Sequence, residues 1–287
     1  MVKKNFLLGR IFINHSLKRP RQTPEIPERK TGMLQKNEIT QRLHEYMLER
    51  MTGITVREVR IGVGYVAVAL NRRGTGLAAV LRQEIGFHCG VVGKAGTLAG
   101  MPAYDLLNYL IDGRNPLERA LGLATANAIL SAEAPREESD ALALMNLSSK
   151  DHVVMIGLFR PLIPRIEQSG AKLTVLEKQK NNALPNVLSF KNRGDILRKC
   201  TVAIITATSI LNNTLERILN DLGNPRWVSI IGPSTPVCRD IFAGTPVTHL
   251  GGSVVLDRQK VMQIVSEGGG TPLLRPYLRF VNLLLTQ

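Results

Sequence analysis

Residues 151–177 read DHVVMIGLFRPLIPRIEQSGAKLTVLE. Val153 to Ile156 form a short apolar, β-branched run, the pattern of a strand covered on both faces. Gly157 ends it. Pro161 and Pro164 restrict the next residues to a loop and the first turn of a short helix. Gly170 suits the position just past that helix. Residues 172–176 form a second strand with Glu177 at its tip. The spacing predicts a β-α-β unit with a carboxylate twenty residues after the glycine, where dinucleotide-type folds place the acid that meets a ribose hydroxyl. GLFRP is not a glycine-rich phosphate loop, so the unit reads as Rossmann-like without naming a ligand.

Downstream the pattern repeats. Strands are expected at 187–190, 202–206, 227–231 and 247–250, the last ending at Gly251-Gly252. Residues 257–266 read as a helix stopped by Gly268-Gly269-Gly270, and 278–285 as a closing helix or edge element. The strand at 202–206 runs into a polar loop, Thr206-Ala207-Thr208-Ser209, and then Asn212-Asn213-Thr214. The strand at 227–231 runs into Gly232-Pro233-Ser234-Thr235-Pro236. In a parallel sheet these strand ends gather on one rim, where ligands bind. The rim candidates are therefore Gly157, Phe159, Glu177, Thr206, Thr208, Asn212, Asn213, Gly232, Ser234 and Thr235. Hydroxyls there also serve as helix caps, but four such loops together favour a ligand cleft.

Upstream, residues 36–51 read as an amphipathic helix with Asn37 as its cap. Strands at 56–61, 65–70 and 76–81 come next. GVGYVA at 62–67 fits G-x-G-x-x-A on paper, but a phosphate loop must open a helix and here β-branched residues continue a strand. The two glycines read as a hairpin turn. Residues 98–111 and 116–131 read as helices, the second capped by Asn115 with Pro116 at its first position. Its face carries Arg119 and Asn127. The Asn127 amide either makes a local hydrogen bond or orients a ligand at a domain junction. Residues 134–140, APREESD, read as a linker. The expected organisation is a basic, disordered tail over 1–32, an α+β domain over 33–140 and an α/β domain over 141–287. Met33 is a candidate alternative start.

The chain carries a formal charge of +14 over 287 residues. Residues 1–32 hold eight basic side chains against Glu25 and Glu28, a net of +6. The rest is spread thinly, and aromatics make up only 5%, so the basic stripe with interleaved aromatics that marks nucleic-acid binding is lacking. A basic body attracts small anions instead. No run of about 18 apolar residues occurs, so no membrane span is expected. Cys89, Cys200 and Cys238 are scattered, which fits a reducing cytoplasm. His88-Cys89 is one adjacent pair of soft ligands, but a metal site needs three or four that converge. No metal site is expected.

Five segments together resemble the putative heavy-metal chelation family, a domain of unknown function: NPLERALGLATANAIL (115–130), DHVVMIGLF (151–159), VAIITATSILNNTLERIL (202–219), GPSTPV (232–237) and GGSVVLD (251–257). The likeness runs from Met33 to the C-terminus. It departs at Cys200-Thr201, where the family has an acid, and in residues 1–32. It implies an enolase N-terminal-like domain followed by a Rossmann-like domain, with an active site between them. It also implies condensation or hydrolysis of flavin-, pterin- or siderophore-like compounds, linked to heavy-metal handling.

The expectation is thus a small-metabolite-binding protein of the cytoplasm. Its ligand is anionic or heteroaromatic, and metal is reached, if at all, through an organic chelator. Asn115, Arg119 and Asn127 would close the site from the first domain, and no cofactor is identified. The alternatives are a metal-delivery protein and a Rossmann-type methyltransferase using S-adenosylmethionine. Against the latter, Leu158, Phe159 and Arg160 would crowd a nucleoside. A homodimer is compatible with the sequence.

Overall fold

The computed structural model describes residues 33–86, 90–135, 140–178 and 187–285. The chain forms two sheets. Strands β1 (Val56–Ile61), β2 (Tyr65–Leu70) and β3 (Thr75–Ala79) make an antiparallel meander in the order β1-β2-β3. Gly62 closes the first hairpin, its N–H donating to Tyr65 O at 2.9 Å. The second sheet has seven strands: β4 (His152–Ile156), β5 (Lys172–Glu177), β6 (Val187–Ser189), β7 (Val202–Thr206), β8 (Trp227–Ile231), β9 (His249–Val255) and β10 (Leu278–Leu284). Their order is β10-β9-β8-β7-β4-β5-β6, all parallel except β10, which is antiparallel to β9. The chain winds outward from β4 to β6, then restarts at β7 on the other side of β4. The switch point therefore lies between β4 and β7, the place where such sheets open a crevice.

The Pro116–Leu130 helix joins the halves. Fourteen of its fifteen positions are buried, Arg119 being the exception, so it lies inside rather than on a surface. β3 lies tightly on it: a Cβ on Gly76 would stand 2.0 Å from Ala124 O and 2.3 Å from Ala128 N. One continuous core runs from the first half's Leu43, Leu106, Leu121 and Val68 to the parallel sheet's Val154, Ile156, Ile205 and Ile230. On the other face of the antiparallel sheet, Tyr65, Ala67 and Ala69 pack on Val261, Met262, Val265 and Leu274. The Arg258–Ser266 helix thus returns from the end of the chain to cover the first sheet. All six residues of β2 are buried because both its faces are covered.

Several local expectations are corrected. Asn37 does not cap the Glu38–Leu48 helix; it takes a left-handed conformation (φ 64°) without a side-chain cap bond. Buried Glu216 caps that helix instead, accepting from Ile39 N at 3.1 Å. Residues 98–111 hold two short helices, Ala103–Leu107 and Tyr109–Asp112, because Pro102 is tolerated only at a helix start. β9 does not stop at Gly251-Gly252 but runs through them. A Cβ on Gly252 would meet Val237 Cγ2 at 2.3 Å, so this glycine permits close approach within a strand. Residues 278–284 form the antiparallel edge strand. The tail 1–32, His88-Cys89 and most of the linker lie outside the described residues. Among those described, no helix is long and apolar enough to cross a membrane.

Candidate functional site

The carboxyl ends of β4, β5, β7 and β8 lie on one rim, and the first half approaches that rim from above. At the switch point Gly157 has φ +89°, and a Cβ there would stand 2.8 Å from Thr206 Cγ2. Glycine is needed both for the left-handed backbone and for the close approach of the two strand ends. Half-buried Leu158 and Phe159 come next and pack on the core beneath the rim. Beside Gly157, Thr206 Oγ1 and Thr208 Oγ1 share a hydrogen bond of 3.0 Å. Asn213 holds a left-handed backbone (φ 56°), a conformation asparagine tolerates better than most residues. The Asn212 amide, oriented to satisfy its neighbours, donates to Ser209 O and Thr214 Oγ1 and presents its oxygen to Lys178 Nζ at 3.2 Å.

Glu177 ends β5, half-buried, opposite Ser189 of β6. Its carboxylate makes no hydrogen bond or ion pair among the described residues. Lys178, next along, reaches the first half: its Nζ lies 2.6 Å from Glu84 Oε1. Arg119 also bridges the halves, donating from Nε to Leu211 O at 2.7 Å and from Nη1 to Gly113 O at 3.1 Å. Burial lowers the pKa of its guanidinium, and nearby Glu84 and Glu118 oppose that shift. The rim and its roof thus bring together Gly157, Phe159, Glu177, Thr206, Thr208, Asn212, Asn213 and Arg119. Sequence reasoning missed Lys178 and Glu84. The position of Lys178 at a strand tip was a usable signal, whereas nothing in the sequence around Glu84 links it to the rim.

Asn115, Asn127 and Ser234 are committed to bonds within the fold. Asn115 caps its helix as expected, accepting from Leu117 N at 2.9 Å and Glu118 N at 3.0 Å, and donates to Val91 O. Ser234 and Thr235 are 2% and 3% exposed and cannot receive a carboxylate or phosphate from solvent. Ser234 Oγ accepts from Ala79 N at 2.8 Å. Its carbonyl accepts from Asn127 Nδ2 at 3.2 Å, which also donates to Leu77 O. These bonds suture β3 and the Pro116–Leu130 helix to the loop after β8. The Asn127 amide nitrogen makes no local hydrogen bond: it reaches carbonyls 50 and 107 residues away, at the junction of the halves, and its side-chain oxygen is buried without a partner among the described residues. Gly232, half-exposed with φ +125°, turns the chain into that suture.

At the opposite end of the sheet a second polar cluster is structural. Asp151 accepts from Arg226 Nε and Nη2 at 3.0 and 2.9 Å, from Thr201 Oγ1 at 2.8 Å and from Ser148 N at 2.9 Å. The Arg226 bonds, chiefly, hold its carboxyl well below the usual carboxylate range. Thr201, standing where an acid was expected, also accepts from His152 N at 3.0 Å.

Among the described residues a serine–histidine chain is present. Ser229 Oγ contacts His249 Nδ1, and His249 Nε2 lies 2.9 Å from Asn282 Oδ1. The order resembles a nucleophile, base and orienting group. Ser229 and His249 are both 0% exposed, so no substrate reaches them. The chain ties β8, β9 and β10 together.

Among the described residues the soft donors are engaged one by one. Cys200 is buried and its thiol pushed up to about 11 by burial; Cys238 is buried and raised likewise. A metal takes the thiolate, which burial disfavours. His44 meets Asn108 at 2.8 Å and His152 meets Thr174 at 2.9 Å.

A protein of Methanocaldococcus jannaschii, itself uncharacterised, is 23% identical over 233 residues, 78% of this chain and 88% of that one. A crystal structure of a DUF364-family protein of unknown function from Pyrococcus horikoshii superposes with a TM-score of 0.73 at 20% identity. It covers 86% of this chain and 99% of that one. A second DUF364-family structure, from Desulfitobacterium hafniense, gives 0.72 at 22% identity over 85% and 98%. Two family patterns match, DUF364 over residues 140–284 and DUF4213 over residues 44–130, both described as putative heavy-metal chelation. The donors at hand do not fit a resident metal: among the described residues no three His, Cys, Asp or Glu side chains converge on a point that could hold one. On the combined span of the two patterns, the chain belongs to the DUF364 family of putative heavy-metal chelation proteins.

Proposed function

We propose that the protein binds a small organic metabolite, anionic or heteroaromatic, in the crevice between the parallel-sheet rim and the first half. Any link to heavy metals then runs through that compound. The observation that carries this reading is the Glu177 carboxylate, which makes no hydrogen bond or ion pair among the described residues, on the same rim as the paired hydroxyls of Thr206 and Thr208, with β4 between them. In this reading Glu177 accepts from a ligand hydroxyl or amine. Thr206, Thr208 and Asn213 meet its polar edges. Among the described residues no accessible nucleophile–base pair stands on this rim, so the proposal is recognition. Condensation or hydrolysis is what the family resemblance adds to it.

Mass spectrometry of small molecules released from the purified protein tests the reading. Glu177→Ala is expected to lower retention of the released compound about tenfold, the scale of one hydrogen bond to a charged group. Asn213→Gly removes the amide while keeping the left-handed backbone, and is expected to act in the same direction. Full retention by both variants would place the site elsewhere. In a separate measurement, untagged protein dialysed against zinc or cadmium is expected to hold well under one equivalent. Stoichiometric metal would favour direct chelation.

A further inference from the structure

We infer that Glu84 occupies the place of a ligand carboxylate, so that Lys178, assisted by Arg119, is the anion-recognition point of the crevice. This deepens the proposed reading of the rim and rests on it. Glu84 ends a three-residue turn, Arg82–Glu84, in the roof. Its Oε1 meets the Lys178 ammonium, 94 residues away in sequence, at 2.6 Å. Asn212 turns its amide oxygen to the same ammonium at 3.2 Å. The Arg119 guanidinium is anchored to two backbone carbonyls by its Nε and Nη1, and Glu84 is one of the two carboxylates whose charge reaches it. One carboxylate therefore stands among an ammonium, an amide and a guanidinium at the tip of β5, beside Glu177 and in front of the switch point.

The bland alternative is a surface ion pair. The exposures support the exchange instead. The Lys178 and Glu84 side chains are 49% and 32% exposed, and pairs of that kind contribute little, about fivefold in an equilibrium constant at most. A ligand carboxylate can displace Glu84 at small cost and meet the same donors. Arg119 is fixed in advance by its bonds to the backbone, so it loses little freedom on binding. Glu177, one residue before Lys178 and without a partner among the described residues, would meet a hydroxyl or amine on the same molecule. The ligand class this favours is a hydroxy- or amino-carboxylate.

The test uses the full chain and isothermal titration with citrate, a hydroxycarboxylate, and with inorganic phosphate. Glu84→Ala is expected to bind citrate about fivefold more tightly than the wild type, by removing the internal competitor. Glu84→Ala combined with Lys178→Met is expected to lose that gain and bind more weakly than the wild type. Arg82→Ala, on the same turn, is the control and should match the wild type. The inference is overturned if Glu84→Ala binds citrate no better than wild type or not at all. It is also overturned if the double variant keeps the gain, or if phosphate binds Glu84→Ala more tightly than citrate does. Retention of the released compound separates the two claims. If Glu177→Ala loses it while Glu84→Ala leaves citrate affinity unchanged, the crevice stands and only the role of Glu84 fails.

Discussion

Asp151→Ala is expected to lower the unfolding free energy by about 3 kcal/mol at neutral pH, the range found when one partner of a buried pair is removed. Asp151 is 6% exposed and meets Arg226 through both carboxylate oxygens. The alanine leaves Ser148 N and Thr201 Oγ1 without their acceptor and Arg226 without its counter-charge. Arg226 is 43% exposed, so water relieves part of its loss, which keeps the expectation at the lower end of that range. Arg226 also donates to the carbonyls of Met145 and Asn146, and so holds the segment that enters β4. Chemical denaturation checks the value. Asp151→Asn should recover part of it, because the amide oxygen still accepts from Arg226. A loss below about 1 kcal/mol for the alanine would mean that the cluster is a solvated surface pair. Since the folded pKa is depressed, this contribution is present above the ordinary carboxylate range and is lost only as pH falls below it.

The parallel sheet was legible because its strands are short apolar runs that end in glycine or polar loops. Val153 to Ile156, Val202 to Thr206 and Trp227 to Ile231 carry that signal in their own residues. The Asn115-Pro116 helix start was legible for the same reason: a cap and its first turn are neighbours in sequence. What could not be read was contact between distant residues. The Asn37 side chain is a competent cap, but Glu216 arrives from 177 residues away and takes the role. Gly251-Gly252 looked like a strand end because the turn signal is local, while the approach of Val237 that needs a bare backbone is not. The return of the Arg258–Ser266 helix onto the first sheet depends on which apolar face meets which, and periodicity does not encode the partner.

The candidate site divides along the same line. Gly157, Glu177 and Thr206 stand at strand ends, and a parallel sheet sends all such ends to one edge, so their grouping came from topology. Ser234 and Thr235 satisfied the same rule, yet they lie under the first half. Strand-end position alone does not distinguish a rim that faces a crevice from one that meets a neighbouring sheet. The deciding contacts are Ala79 N to Ser234 Oγ and Asn127 Nδ2 to Ser234 O. Both cross between the halves, as does Glu84 to Lys178. Side chains that lock the two halves together and side chains that could receive a ligand are thus of one chemical kind, and only their partners tell them apart.

Acidification from pH 7 to pH 4 is expected to remove about 3 kcal/mol of stability through His249 alone. The ring is fully buried, and its pKa falls from 6.5 to about 4, chiefly through desolvation, with the Asn282 bond opposing. A depressed folded pKa means that the unfolded chain takes up the proton first as pH drops. The stabilisation is therefore complete above about 6.5 and is lost as pH falls towards 4, below which both states are protonated. At 1.36 kcal/mol per pKa unit the window corresponds to about 3 kcal/mol. It lies above the window of Asp151, so the histidine should govern the first phase of acid destabilisation. Stability measured in denaturant at pH 7, 5.5 and 4 checks this for the wild type and for His249→Asn. The asparagine keeps a polar group between Ser229 and Asn282 but does not titrate. Its absolute stability is expected to be lower at pH 7, since it leaves a gap beside Trp227, whose ring lies 5.5 Å from the imidazole. The decisive quantity is the slope: the variant should lose about 3 kcal/mol less than the wild type over the same interval. Parallel pH profiles would mean that water reaches the imidazole in the folded protein, and the Ser229–His249–Asn282 chain would then have to be reconsidered as an accessible one.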